Sequence, residues 1–240
     1  MRIIIALGAL LLFTGCPINQ PNVARVSTDY AAAVKKVGLI SLVDLRPNIS
    51  YLTSSALESN FATAELSGWN ADSVVMKQLT AQLQHKGFQV MPLPRSAALL
   101  KIYESDRSYA HSELIQAELA ELGEQHGLDM IVIVCRHVGS DLATKTNQKI
   151  RGYGLQKATD TDPVVYADMY VEAVDVRKHF VVGKAGGFQS MPLSASAWQR
   201  EFESAHGVLP IASAAHDEVL ALMTKVVSTA AAVAAQEAGF

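Results

Sequence analysis

The sequence predicts an α/β fold, an α+β mixed sheet enclosed by helices in three layers. Over residues 37–135, apolar β-rich runs alternate with amphipathic helical stretches, which is typical of a parallel βαβαβ unit. Residues 164–188 have the pattern of a long β-hairpin, and an alanine-rich helical stretch at 212–235 follows it. We therefore expect a parallel βαβαβ half, then an antiparallel meander and a C-terminal helix.

Three apolar runs predict the strands of the parallel half. They are residues 37–43 (VGLISLV), 88–93 (FQVMPL) and 130–135 (MIVIVC). The runs at 37–43 and 130–135 lack polar alternation, which is typical of strands covered on both faces. Residues 44–70 carry Pro47, Gly68 and many Ser, Thr and Asn, so we expect a long connection there.

Two helices are predicted between these strands. Residues 71–86 place apolar side chains at helical spacing, with Asn70 as the cap and Gly87 as the stop. Residues 112–125 repeat apolar positions at spacings of four and three. Each helix would cover the sheet between two parallel strands.

The second half of the chain predicts antiparallel pairing. A strand at 149–155 and a turn at 160–163 precede residues 164–176, which alternate apolar and polar side chains. Strict alternation predicts a strand with one covered face, and residues 180–188 would be its return. The stretch at 190–209 shows no clear period, and an apolar stripe predicts the closing helix at 212–235.

The first sixteen residues have the order of an export signal. Arg2 precedes an apolar run, and Thr14 and Gly15 lead into Cys16; the run is too short to span a bilayer. This segment resembles a bacterial lipoprotein precursor, whose lipobox ends in Gly-Cys. The resemblance implies a signal peptide at 1–15, a lipidated Cys16 with a tether at 16–34, and one periplasmic domain at 35–240.

The resemblance also implies a location in the cell envelope. A lipid on Cys16 would hold the protein on a membrane, facing the periplasm. Pro17 follows in place of the aspartate that commonly retains such proteins at the inner membrane of enteric bacteria. We therefore expect the outer membrane.

Composition excludes some classes of protein. Half the residues are apolar, 18% are charged and the formal net charge is −3, so we expect a globular body and no nucleic-acid partner. The chain has two cysteines, and lipidation of Cys16 would leave Cys135 without a disulfide partner. We expect Cys135 to be a buried small hydrophobe.

Motifs for catalysis, cofactors and metals are missing from the sequence. It contains no GxSxG, GxGxxG or Walker glycine loop, and its seven histidines form no HExxH or other ligand pattern. Cys135 and His137 are a suggestive pair, but two ligands do not make a site. We expect no catalytic residue, no cofactor, no metal and no enzyme activity.

Four side chains mark the default surface for a binding site. Arg46, Arg95, Arg136 and His137 each follow a predicted strand, at the edge where open α/β sheets place ligands. They could receive an anion or an acidic partner, although solvated loop arginines are the commoner case. Asp44, Asp106 and Asp141 could converge there or lie in water. We expect Trp69 and Trp198 to pack in the core or as caps, and not to serve as contact anchors.

The order of elements resembles a group of periplasmic α/β lipoproteins. The likeness lies in VGLISLV, HKGFQV, DMIVIV and VYADMYVEAVDV. The group includes the curli-secretion lipoprotein, the peptidoglycan-synthase activator lipoproteins and the N-terminal domain of TolB. It implies a lipid-anchored protein that contacts envelope proteins, itself included, as an assembly subunit or an accessory or regulatory lipoprotein. The alternative is a periplasmic enzyme or small-ligand binder that uses Arg46, Arg95, Arg136 and His137.

Overall fold

The computed structural model describes most of the chain after its N-terminal segment. The described residues are 23–55, 58–95, 97–106, 113–204 and 206–240. The predicted signal peptide, Cys16 and Pro17 lie outside them. The signal peptide and the lipidation site therefore stay predictions from sequence.

The predicted fold class is confirmed, because a mixed sheet is combined with helices and the chain closes on a long helix. The strands are β1 (Lys36–Leu42), β2 (Asn48–Leu52), β3 (Asn60–Glu65), β4 (Gln89–Pro92), β5 (Met130–Arg136), β6 (Val138–Ser140), β7 (Lys149–Arg151), β8 (Tyr153–Ala158), β9 (Val164–Asp175), β10 (Phe180–Pro192) and β11 (Val208–Pro210). The helices are α1 (Thr28–Ala33), α2 (Ala71–His85), α3 (Ala97–Asp106), α4 (Glu113–Gln125) and α5 (Ser213–Glu237), with a 3-10 helix at Arg200–Ser204.

Strand β9 organises the sheet. Along one edge it pairs antiparallel with β10. Its other edge is shared, since β5 pairs with the half after Asp168 and β8 pairs with the half before it. Beyond β5 lie β1 and then β4, all parallel. Beyond β8 lie β2, β3 and β11. The sheet therefore forks at the middle of β9.

Helices cover both faces of the sheet in three layers. On one face, α2 and α5 bury Leu79 and Val219 with Leu39 of β1. On the other face, α3 and α4 bury Leu99 and Leu119 in a second cluster. Burial of both faces explains why β1 and β5 consist of apolar runs without alternation.

Helix α2 begins at the predicted residue and ends at His85, one residue before the predicted end. The side chain of Asn70 accepts a hydrogen bond from the Ser73 amide at 3.2 Å, which satisfies one free amide of the first turn. Gly87 follows the helix with φ +91°, a conformation that glycine adopts without a steric penalty.

Helix α5 lies closely against β10. By length and composition alone α5 could cross a membrane, but its apolar side packs in the first core through residues such as Val219 and Met223. At Gly187, an added Cβ would lie 2.1 Å from the Ala230 carbonyl oxygen and 2.5 Å from the Ala234 amide nitrogen. Glycine on the strand and alanines on the helix therefore allow this approach.

One prediction about a polar segment is wrong, and a second is confirmed except at one residue. Residues 44–70, predicted as a connection, contain the antiparallel pair β2 and β3. Strand β2 is interior, with β8 on its other side, so backbone pairing outweighs its polar composition. The predicted strand at 149–155 is divided at Gly152, where φ is +60°: β7 pairs with β6, and β8 pairs with β2 and β9.

The prediction that β9 has one covered face is also wrong. Every residue from Val165 to Asp175 is buried. Tyr170 and Val174, on the side predicted to face solvent, lie in the second core. The Tyr166 hydroxyl donates to the Arg151 carbonyl oxygen at 3.1 Å. The side of β9 that was expected to face solvent is therefore buried, and the Tyr166 hydroxyl on that side is hydrogen-bonded inside the fold.

The folded body begins before the predicted boundary at residue 35. Ala24 exchanges two backbone hydrogen bonds with Lys184 of β10, at 2.9 and 2.7 Å. Val26 and Val34 are buried in the first core, on either side of α1. Residues 24–34 therefore pack on the domain, although the sequence places them in the tether.

We expect Gly187→Ala to lower the free energy of unfolding by about 1–3 kcal/mol, because the new methyl group would force α5 away from β10. Denaturation in urea measures the change. Ser190→Ala, on the opposite face of the same strand, is the matched control and should change it by less than about 0.5 kcal/mol. Equal effects of the two substitutions would contradict the close approach of α5.

Candidate functional site

The fork in the sheet is closed by a ring of backbone hydrogen bonds. The His137 amide donates to the Asp168 carbonyl, the Asp168 amide to the Gly152 carbonyl, and the Gly152 amide to the His137 carbonyl, at 2.9, 2.6 and 2.8 Å. The ring joins the end of β5, the start of β8 and the middle of β9. The residues beside it, Arg136 and Arg151, are thereby held at one edge of the sheet.

Gly152 is needed where the chain turns between β7 and β8. Its φ of +60° disfavours residues with a Cβ. An added Cβ would also lie 3.3 Å from Cβ of Arg136 and 3.4 Å from the Asp44 carboxylate. This turn brings Arg151 to the carboxyl ends of β1 and β5.

Asp44 links the arginines at this edge. Its carboxylate pairs with the Arg136 guanidinium, and Nε of Arg151 lies 3.9 Å from its second oxygen. The Tyr153 hydroxyl donates to the Asp44 carbonyl oxygen at 2.7 Å. Asp44 therefore holds the Arg136 guanidinium closely, whereas the Arg151 guanidinium lies only at the outer limit of an ion pair.

A cavity of about 690 Å³ opens beside this cluster. Its polar lining consists of Asp44, Arg46, Asn48, Thr63, Arg95, Arg136 and Arg151, and its apolar lining of Leu42, Val43, Leu45 and Leu100. Arg95 is paired with Asp72 at 2.5 Å. The lining can bind an anion through guanidinium groups and an apolar group through leucines.

The structure brings three of the four predicted rim residues together. Arg46, Arg95 and Arg136 line the cavity, whereas His137 does not. Adjacent residues of an extended strand point to opposite faces, so His137 points away from Arg136. Nδ1 of His137 lies 2.9 Å from the Asp168 carboxylate, and the ring stacks on Tyr170 at 5.9 Å.

Asp168 is a buried carboxylate at the fork. Burial raises its pKa above the ordinary value, and the hydrogen bond and charge of His137 act in the opposite direction. Burial has the larger effect. The His137–Asp168 pair therefore lies inside the fold, where it joins two strands.

Asp141 stabilises the loop between β6 and β7. Its carboxylate accepts the backbone amides of Thr144 and Thr146 at 2.9 and 3.0 Å, and the Gln156 amide at 2.7 Å. Burial alone would raise the pKa of Asp141, but together the hydrogen bonds from Thr144 and Thr146 lower it. Asp44 reaches the cavity and Asp141 does not; the Asp106 side chain lies outside the described part.

Three polar lining residues are not predicted by the sequence. Arg151 was assigned to the middle of a strand, while Asn48 and Thr63 fell in the predicted connection. The Gly152 turn next to Arg151 was a possible signal, because glycine within a strand pattern often marks a bend. No comparable signal marks Asn48 or Thr63.

Cys135 and the tryptophans lie as predicted. Cys135 is buried in the second core. Trp69 packs edge-on against Tyr153 at 5.5 Å, and Trp198 against Phe202 at 5.3 Å. Among the described residues, no group of three His, Cys, Asp or Glu side chains is placed to hold a metal ion.

Comparisons with known proteins find similar structures but no family. No family model matches the chain, and no curated protein matches it. Lipoprotein GNA1162 from Neisseria meningitidis is 12% identical, with a TM-score of 0.35 over 71% of this chain and 90% of its own. Protein XCC0632 from Xanthomonas campestris is 9% identical, with a TM-score of 0.42 over 85% and 84%. The LpoB C-terminal domain from Salmonella enterica is 9% identical, with a TM-score of 0.28 over 65% and 83%.

The structures similar to this chain thus include bacterial lipoproteins. At these TM-scores and identities, the similarities do not assign the chain to a family.

Asp141 and Asp168 should make the free energy of unfolding depend on pH in opposite directions. The lowered pKa of Asp141 means that its ionised form stabilises the fold above the ordinary aspartate value of about 3.9, and that this contribution is lost as the pH falls. The raised pKa of Asp168 means that the native state binds its proton more tightly, so its contribution decreases as the pH rises above about 3.9. Urea denaturation of Asp141→Asn and Asp168→Asn between about pH 3 and 6 tests both signs.

At neutral pH, Asp141→Asn should lower the free energy of unfolding by at least about 2 kcal/mol, since buried donors lose a charged acceptor. Asp160→Asn, in an exposed turn, is the control and should change stability by less than about 0.5 kcal/mol. If the free energies of unfolding of Asp141→Asn and Asp168→Asn changed with pH in the same way, the opposite pKa shifts would be contradicted.

Proposed function

We propose that this protein is a lipid-anchored accessory or assembly subunit of a bacterial cell envelope. It faces the periplasm from the outer membrane and acts by binding other envelope proteins, itself included, without catalysing a reaction. The proposal starts from the export signal that ends in Gly15 and Cys16.

The observation that carries the proposal is the short reach between Cys16 and the folded body. Ala24, bonded to Lys184, lies eight residues after Cys16. Eight residues span at most about 29 Å. A lipid on Cys16 would therefore keep the domain next to the membrane, where it meets other membrane-associated proteins.

The chemistry of the cavity supports binding in preference to catalysis. Its charged lining consists of four arginines and Asp44. Arginine stays protonated and cannot exchange a proton near neutral pH. Two groups suited to catalysis, His137 and Cys135, lie elsewhere: the first is paired with Asp168 and the second is in the core.

Exposed apolar residues near the cavity also support protein contacts. Leu45, 71% exposed, lines the cavity. Phe61, 53% exposed, lines a neighbouring cavity of about 350 Å³ that shares Asn48 and Arg151 with the first. Aromatic residues and arginine are enriched in protein interfaces.

A second candidate function is the binding of a small ligand. One observation favours it: Arg46, Arg95 and Arg136, which are distant in sequence, line one cavity. This is the ligand-binding part of the alternative predicted from the sequence.

The lipid anchor is tested by labelling with radioactive palmitate in a bacterium that processes lipoproteins. The full-length protein should take up label and fractionate with outer membranes, whereas Cys16→Ala should do neither. Cys135→Ala keeps the lipidation site and should be labelled like the wild type. Label that persists in Cys16→Ala, or a wild-type protein that is not labelled, would contradict the proposal.

A further inference from the structure

We propose that the cavity at the carboxyl ends of β1 and β5 binds a small organic anion, whose phosphate or carboxylate group contacts Arg46 and Arg151. The inference rests on the ligand-binding candidate function and specifies its ligand class. It does not depend on whether Cys16 carries a lipid.

The cavity has a surplus of positive charge. Four arginines and one aspartate line it, and the pairing of Arg95 with Asp72 brings one more carboxylate to its edge. These described side chains carry two more positive than negative charges, while the chain as a whole has a formal net charge of −3. A local surplus of this kind attracts anions even though the net charge of the chain is negative.

Two of the four guanidinium groups are available to a ligand. Arg95 and Arg136 are paired with Asp72 and Asp44. The Arg151 side chain is 52% exposed and approaches the same Asp44 only to 3.9 Å. Arg46 is exposed and lines the cavity, and among the described residues it forms no ion pair. Guanidinium groups match the paired oxygens of phosphates and carboxylates.

The backbone that carries Arg151 is held in place before any ligand binds. The Arg151 carbonyl oxygen accepts the Asn48 side-chain amide at 2.8 Å and the Tyr166 hydroxyl at 3.1 Å. The next turn is fixed by the backbone bonds of Gly152 at the fork. Binding therefore has to order only the end of the side chain, which lowers its entropic cost.

The apolar lining indicates an organic anion in place of a bare inorganic one. Leu42, Val43, Leu45 and Leu100 line the same cavity as the arginines. A volume of about 690 Å³ lies within the range of about 300–1,000 Å³ that is typical of small-molecule sites. A ligand with an apolar group beside its anionic group would fill the cavity better than phosphate.

Isothermal titration of the purified full-length protein with three probes tests the inference. Phenyl phosphate and phenylacetate distinguish a phosphate ligand from a carboxylate ligand, and inorganic phosphate lacks the apolar group. We expect one of the two aromatic anions to bind with a Kd of about 1 mM or below, and inorganic phosphate several-fold more weakly. The double variant Arg46→Gln/Arg151→Gln should bind that anion at least about tenfold more weakly.

Arg25→Gln is the matched control, since Arg25 is an exposed arginine paired with Glu237 outside the cavity lining. It should leave the Kd unchanged, and thermal melting should show that all variants are folded. The inference is overturned if neither aromatic anion binds, if the double variant binds as the wild type does, or if Arg25→Gln weakens binding equally. None of these results would affect the palmitate experiment.

Discussion

The pairing of one edge of β9 with two different strands is the constraint on which the rest of the structure depends. Since β5 and β8 meet the same edge, their adjoining ends must lie close together at Asp168. The ring of bonds through His137, Gly152 and Asp168 satisfies the backbone there, as a buried junction requires. Arg136 and Arg151 flank this ring, so the fork also determines where the cavity forms.

The sequence predicts those elements whose signal is local. Helix α2 carries its cap, its apolar stripe and its glycine stop in one segment, and β5 is a run of buried apolar residues. Strand β2 is different, because its polar residues are accommodated by pairing with β8, about a hundred residues later. Likewise, α4 packs on the side of β9 that was expected to face solvent. No pattern within β9 itself indicates that this side is covered.

The candidate site was predictable only in part, for the same reason. Parallel strands end at one edge of a sheet, so Arg46 and Arg136 are expected near each other. His137 follows Arg136 directly and points the other way, toward Asp168. Arg151 reaches the cavity through the turn at Gly152 and the pairing of β8 with β9, which are long-range features. The resulting arginine cavity is part of a domain whose earliest described contact, at Ala24, follows the proposed lipid anchor by eight residues in the sequence.

Native-state hydrogen exchange at the fork is the most direct test of this account. If the fork holds the sheet together, the amide hydrogens of Gly152 and Asp168 should exchange as slowly as that of Val171 in the interior of β9, through global unfolding. Exchange of Gly152 and Asp168 as fast as the exposed turn at Asp160 would contradict it, because the arginine-bearing strand ends would then separate while the rest of the sheet stayed folded.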